Sequence, residues 1–401
     1  MPDSIGGAVT RLPHRVARAA LVRMQRRWQS QPLDDSAVLF ESFAGQRISC
    51  NPRALYEGMR RDPRFADRHF VWVLADETVA ASSGLTPDDR LSFVAFRSRA
   101  YFRALARSRT VITNVTFPVS FTKRPDQTYV NTWHGTPLKK MGRDVPDGDP
   151  VVVADTIANL AAADLLLSTG PYMTTVMYGG AYGIAGPSIQ ELGYPRVDEQ
   201  FDPTIRATVR AAIGGSAPIV LYAPTWRQST DTVATDDTPE IARRVVELAR
   251  LVEPAHRVVV RLHDKAMSAA RTHPELAARL APEQLSTNAL LGVADTLVTD
   301  YSSVFFDYLA TGQRLVFWMP DQEVYSRTRG MYLDALPGPV CATADEVAAA
   351  IAAPAEPGVM AAARESYAPD DDGHATGRVL DAILALQAGA GPASKREGNG
   401  K

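Results

Sequence analysis

Four short stretches of this 401-residue chain carry side chains able to hold a phosphate or move a proton: NTWHGTPLKKMG (131–142), YAPTWR (222–227), RLHDK (261–265) and VTDYSS (298–303). The first presents His134 with Thr136, Lys139 and Lys140. The second supplies Thr225, Trp226 and Arg227, and the third Arg261, His263 and Lys265. The fourth supplies Asp300, Tyr301, Ser302 and Ser303, directly before an apolar, helix-like run. A histidine in such company can be a packed core residue, a metal ligand, a phosphate contact or a proton acceptor, since imidazole titrates near neutral pH. Ser302 and Ser303 alone would be ordinary helix caps. Following a parallel strand, the same helix start also turns free N–H groups outward and suits a phosphate dianion. With Arg227, Arg261 and Lys265 adding positive charge, the cluster favours an anionic ligand, most simply a nucleoside diphosphate group.

Other chemistries fit less well. There is no G-x-x-x-x-G-K-[ST] loop, and the glycines of GGAYGIAG (179–186) lack the G-x-G-x-x-G spacing. No G-x-S-x-G is present for a serine hydrolase. Asp147 and Asp149 form a D-x-D, but within PDGDP, a turn composition. His256, His263 and His273 are not at metal-ligand spacing, and H-E-x-x-H is absent. Metal-free chemistry without a cofactor is the expectation.

The elements that must position these residues follow an α/β pattern with parallel sheets. Strands are expected at 37–42, 69–75, 110–115, 127–133 and 164–169, with helices at 51–61, 98–108, 152–163 and 171–177. The turn-rich GYPRVDEQFDP (193–203) places a boundary near 196–216. Beyond it the pattern restarts, with strands at 217–224, 256–263, 295–300 and 314–320 and helices at 239–252, 289–294 and 303–312. Two Rossmann-like units facing a central cleft are expected, spanning 31–200 and 201–388. Ligands of open parallel sheets sit beyond the carboxyl ends of strands, where the four stretches fall.

The bulk properties agree with a globular enzyme. Apolar residues make up 45% and charged residues 22%. A net charge of −2 argues against a nucleic-acid binder. Cys50 and Cys341 are too few and too far apart for a disulfide framework, which makes a reducing cytoplasm the default. No apolar run reaches the length of about 18 residues that a membrane span needs. The basic segment 1–30 is different: RLPHRVARAALVRMQRRW (11–28) holds six arginines and no acid. It reads equally as a helix lying on anionic lipid headgroups or as a solvated basic helix. The Gly-rich polar tail 389–401 is expected to be disordered.

Seven stretches, in order, resemble the CDP-glycerol glycerophosphotransferase family of teichoic acid synthesis. They are FESFAGQRISCNP (40–52), TWHGTPLKKMG (132–142), ELGYPRVD (191–198), YAPTWR (222–227), RLH (261–263), VTDYSSVFFDY (298–308) and RGMYLDALPGPV (329–340). The resemblance implies a GT-B-like fold. It also implies transfer of an alditol phosphate from a CDP-activated donor to a hydroxyl of a membrane-linked acceptor, with CMP leaving. It makes His134 and His263 the essential pair and brings Ser302, Ser303 and Arg329 to the donor phosphates. Asp264 follows the second histidine, where some relatives have proline.

Within that reading, a weakly acidic hydroxyl needs a base with a pKa near the working pH. His134 is assigned that role, and His263 stabilises charge on the donor phosphate or departing CMP; swapped roles remain open. Arg227, Arg261, Thr225, Asp300, Ser302, Ser303 and Arg329 are assigned to the donor, and Gly135, Thr136 and Lys139 to the acceptor side. The expected working place is the cytoplasm, peripheral at the inner face of the cell membrane. Two other functions compete: a GT-B glycosyltransferase using a nucleotide-sugar, and a non-catalytic nucleotide-binding scaffold at the membrane.

Overall fold

The computed structural model describes residues 27–225, 238–262, 267, 269–323, 325, 330–354 and 356–389. Six residues singled out above (Trp226, Arg227, His263, Asp264, Lys265 and Arg329) lie outside them, as do residues 1–26 of the basic segment and 390–401 of the tail.

The chain folds α/β, with its strands in two parallel sheets. The first has seven strands: β1 (Asp34–Glu41), β2 (His69–Leu74), β3 (Leu91–Ala95), β4 (Ser108–Thr113), β5 (Thr128–Asn131), β6 (Leu165–Ser168) and β7 (Ile189–Glu191). Their spatial order is β3-β2-β1-β4-β5-β6-β7. The second comprises β8 (Ile219–Ala223), β9 (Arg257–Val260), β10 (Thr296–Thr299), β11 (Arg314–Trp318) and β12 (Val340–Cys341), ordered β12-β11-β10-β8-β9. Every paired strand runs parallel to its neighbour. The central strands are continuous apolar runs because both faces are covered, as in HFVWVL and RLVFW, where nearly every position is buried.

The inner strands and the edge strand β9 match the sequence expectation, and the edge strands β3, β7 and β12 do not. β3 and β7 show mixed, half-buried patterns, and β12 has two residues, so none carries the apolar run that marks a buried strand. Two predicted helices also differ. The segment expected at 171–177 begins as Pro171–Met173 and widens into a π-helical stretch, Thr174–Ala181. The helix expected at 303–312 is Val304–Tyr308, closed by a tighter turn over Leu309–Thr311.

The assignment of all of 201–388 to the second unit needs correction. The final helix, Ala375–Gln387, buries Val379, Leu380, Ala382 and Ile383 in the core of the first sheet. Asp198 caps it, accepting from the backbone N–H groups of Ala375 (3.0 Å) and Thr376 (2.8 Å). The returning chain passes so close to Gly193 (φ +76°) that a Cβ there would sit 2.1 Å from the Asp370 carbonyl oxygen. Periodicity identifies an amphipathic helix without saying which core receives it.

Candidate functional site

β5 ends at Asn131, and the chain leaves the sheet through Thr132 and Trp133 before reaching His134. Trp133, with φ +49°, is 6% exposed and stacks on the His134 ring at 4.7 Å; Phe43 meets that ring edge-on at 5.6 Å. Phe43 and Cys50 also adopt positive φ, +48° and +64°, so sterically costly backbone gathers around this histidine.

The ring of His134 is held by a single short bond, Nδ1 to the carbonyl oxygen of Asn114 at 2.6 Å. A carbonyl only accepts, so Nδ1 carries the proton and Nε2 of the neutral ring keeps its lone pair. Asn114 is itself fixed, its Oδ1 accepting from Phe43 N at 2.8 Å. Burial pushes the His134 pKa below its usual 6.5. The Asn114 carbonyl opposes that shift and the positive charge of Arg196 adds to it. The ring is therefore neutral at pH 7, with Nε2 able to accept a proton.

The start of the helix Val304–Tyr308 faces this turn. A Cβ on Gly135 would lie 3.1 Å from Ser303 Oγ, so the residue after His134 packs directly on the second hydroxyl of the DYSS stretch. Ser302 and Ser303 are both partly exposed, and Ser302 Oγ accepts from Val304 N at 3.3 Å. Downstream, residues 138–141 run antiparallel to 330–332. Lys140 N donates to the Gly330 carbonyl at 3.2 Å, and Tyr332 N to that of Leu138 at 2.9 Å. Tyr332 OH donates to Asp144 Oδ2 at 2.7 Å. Lys139 lies over the Tyr325 ring, 5.4 Å from its centre.

Two residues assigned to ligand binding, Asp300 and Thr136, make hydrogen bonds within the fold. Asp300 is 2% exposed, and its Oδ1 accepts from Thr225 N at 2.7 Å, tying the end of β8 to that of β10. Thr136 is 1% exposed and shares its hydroxyl with Thr169 at 3.0 Å. Thr225 Oγ1 is buried without a hydrogen-bond partner among the described residues, which leaves it a polar group to spend on a ligand or water. Arg261 follows β9, donates its N–H to the Tyr222 carbonyl at 3.0 Å and is half-buried. The D-x-D resolves as a turn: Asp149 caps the helix Pro150–Ala161 through Val151 N at 2.8 Å.

Sequence reasoning gave no role to Arg196, within GYPR. Its Nε and Nη2 bind the two oxygens of Asp307 at 2.7 and 2.9 Å, a bidentate pair with side chains 13% and 6% exposed. Nη1 donates to the His134 carbonyl at 2.9 Å and lies 2.9 Å from Cys50 Sγ. The only sequence signal was an arginine inside a turn-rich motif.

A buried, neutral histidine whose neighbour Gly135 packs on a serine-bearing helix start, at the ends of strands in two parallel sheets, fits an α/β enzyme of group transfer. The chain belongs to the CDP-glycerol:poly(glycerophosphate) glycerophosphotransferase family, whose model matches residues 22–385, and it is a glycerophosphotransferase. It is 27% identical over 340 residues to the teichoic acid poly(glycerol phosphate) polymerase of Bacillus spizizenii, covering 80% of this chain and 84% of the relative. It is 26% identical over 323 residues to the teichoic acid glycerol-phosphate transferase of Staphylococcus aureus, covering 76% and 80%. The Bacillus subtilis poly(glycerol phosphate) polymerase is 30% identical over 338 residues, and the match spans 44% of that relative's length. The solved structure of the wall teichoic acid polymerase TagF shares the fold, with a TM-score of 0.77 at 21% identity over 95% of this chain and 97% of that one. A UDP-N-acetylglucosamine 2-epimerase shares it more distantly, with a TM-score of 0.52 at 13% identity over 92% of this chain and all of that one.

Proposed function

We propose that this chain transfers glycerol phosphate from CDP-glycerol to a hydroxyl of a membrane-linked acceptor, releasing CMP, in teichoic-acid-type polymer synthesis. The reaction takes place in a GT-B-like cleft between two Rossmann-like units, the second giving its last helix back to the first. The observation that carries this reading is the apposition of the His134–Gly135 turn to Ser303. The family's description supports the donor, the relatives' names support the polymer class, and two TagF structures were soaked with CDPG.

In this mechanism His134 Nε2 takes the proton of the acceptor hydroxyl as its oxygen attacks the β-phosphorus of the donor. The new P–O bond forms in line with the bond that breaks, and CMP leaves with the electron pair. Ser302, Ser303 and Thr225 hold donor oxygens; Arg227, His263, Arg261 and Arg329 add positive charge, with His263 stabilising the leaving group. Lys139 and Gly135 border the acceptor path. The arginines of 11–28 hold the enzyme at anionic lipid on the inner membrane face.

The test is a panel of CDP-glycerol, CDP-ribitol and UDP-sugars with a lipid-linked glycerol phosphate acceptor, scored for released nucleotide. CMP release from CDP-glycerol, lost in His134→Ala, is the expected result. UDP release from a sugar donor instead would move the chain to glycosyl transfer, and intact nucleotide after long incubation would make it a binding scaffold.

A further inference from the structure

Arg196 bridges the two halves of the proposed site. It extends from the turn Pro195–Gln200, and its backbone N–H is anchored on Asn51 Oδ1 at 3.2 Å. The cation packs 4.6 Å over the Tyr194 ring. From there its guanidinium reaches in two directions. One edge grips Asp307, one helical turn beyond Ser303; the remaining nitrogen holds the main-chain oxygen of His134. Asp307 is set from its other side by Asn288, whose Nδ2 donates to Oδ2 at 3.2 Å. His134 and the Ser303 helix are thus fixed to opposite edges of one rigid, planar fork.

We propose that Arg196 is a positioning residue for the transfer, setting the distance and angle between the His134 base and the hydroxyl-lined helix that receives the donor phosphates. The inference rests on the reading of His134 as base and Ser302 and Ser303 as phosphate contacts. Three features support it beyond proximity. A bidentate arginine–carboxylate pair has one preferred in-plane geometry, so it transmits position rather than merely charge. The third bond goes to a backbone oxygen of the reactive residue itself, which leaves the His134 side chain free. The displacement that matters is small, because an error of about 1 Å in a reacting group can cost roughly 10²-fold in rate. The charged and titratable groups facing this centre are Asp307, Cys50, Tyr194 and the buried Asp371, whose carboxyl is pushed up by burial and by Asp307.

The test separates position from charge in full-length enzyme, using Arg196→Lys, Arg196→Gln, Asp307→Asn and His134→Ala. Each is assayed for kcat, donor KM and the pH dependence of kcat/KM, with thermal melts to establish folding. Arg196→Lys keeps the cation and loses the fork: kcat should fall roughly 30- to 100-fold, donor KM should change less than about threefold, and the acid limb should stay in place. Arg196→Gln also removes the charge that adds to burial in lowering the His134 pKa, so its acid limb should move to higher pH as well. Asp307→Asn, nearly isosteric, frees the fork without removing it and should lower kcat at least tenfold. If an Arg196 variant fails to fold, Asp307→Asn decides. Parental kcat in the folded Lys or Asn variant, with His134→Ala inactive, overturns this inference alone. Parental turnover in His134→Ala overturns it together with the base assignment it rests on.

Discussion

The carboxyl ends of the two sheets hold their working groups by opposite means. At the first, the His134 ring is held by neutral partners: the Asn114 carbonyl, the Trp133 face and the Phe43 edge. At the second, the DYSS loop is braced by carboxylates. Asp300 accepts from Thr225 N, Asp307 from Arg196, and Asp321 from the Tyr301 hydroxyl at 3.0 Å. The contrast follows from what each side must do. A carboxylate on His134 would raise its pKa and favour the protonated ring, whereas a carbonyl fixes the tautomer with a weaker pull on the proton. A loop proposed to hold phosphate can be braced by carboxylates only if they point at donors within the fold, and here each of the three does.

The sharpest way to break this comparison is to remove the His134 imidazole, the proposed base. His134→Ala should lower kcat about 10²- to 10⁴-fold with donor affinity preserved, measured by CMP release and by equilibrium binding of CDP-glycerol. Loss of donor affinity instead would place His134 on the phosphate side.

A second effect tests the first sheet's interior. Glu41, the last residue of β1, is fully buried, and burial pushes its pKa up to about 7 despite the hydrogen bond from Tyr101 OH. The folded state then binds this proton more tightly than the unfolded chain, with its usual value of 4.5. Stability from this group is present below about pH 4.5 and falls as pH rises through about 7, by about 3 kcal/mol in all. Glu41→Gln should therefore melt higher than the parent at pH 8 and close to it at pH 4.5. Parallel melting curves across pH would mean that Glu41 ionises freely in the fold.

On the second sheet, Asp300→Ala should cost about 1.5–3 kcal/mol in denaturant unfolding, the range for a hydrogen bond to a charged group. It should also weaken donor binding by loosening Thr225. Loss of donor binding with unchanged stability would make Asp300 a direct ligand rather than a brace. The smallest effect tests where the two ends meet. In Gly135→Ala the new methyl group presses on Ser303 Oγ, a few tenths of an ångström too close. Turnover should fall roughly tenfold with the melting temperature almost unchanged. Parental turnover would show that this contact yields without consequence.

Much of this was legible along the chain. The inner strands β1, β2, β4, β6, β8, β10 and β11 announce themselves because a strand covered on both faces must be apolar at consecutive positions. The four polar stretches were found because each follows a strand expected from the sequence, β5, β8, β9 or β10. The edge strands β3 and β7 were not, since half-exposed segments mix polar and apolar residues as loops do.

Residue types, their order and the strand ends that carry them were determined by the sequence, and these sufficed to place the chain near its family. Pairings between distant segments were decided only by the tertiary structure. Nothing local says that Asp300 and Thr136 turn inward, or that Ala375–Gln387 returns to the first core. Nor does any local pattern say that Arg196 spans from Asp307 to the His134 carbonyl. The physical reason is that periodicity reports whether a side chain is buried, whereas a hydrogen bond between residues more than a hundred positions apart depends on how the whole chain closes.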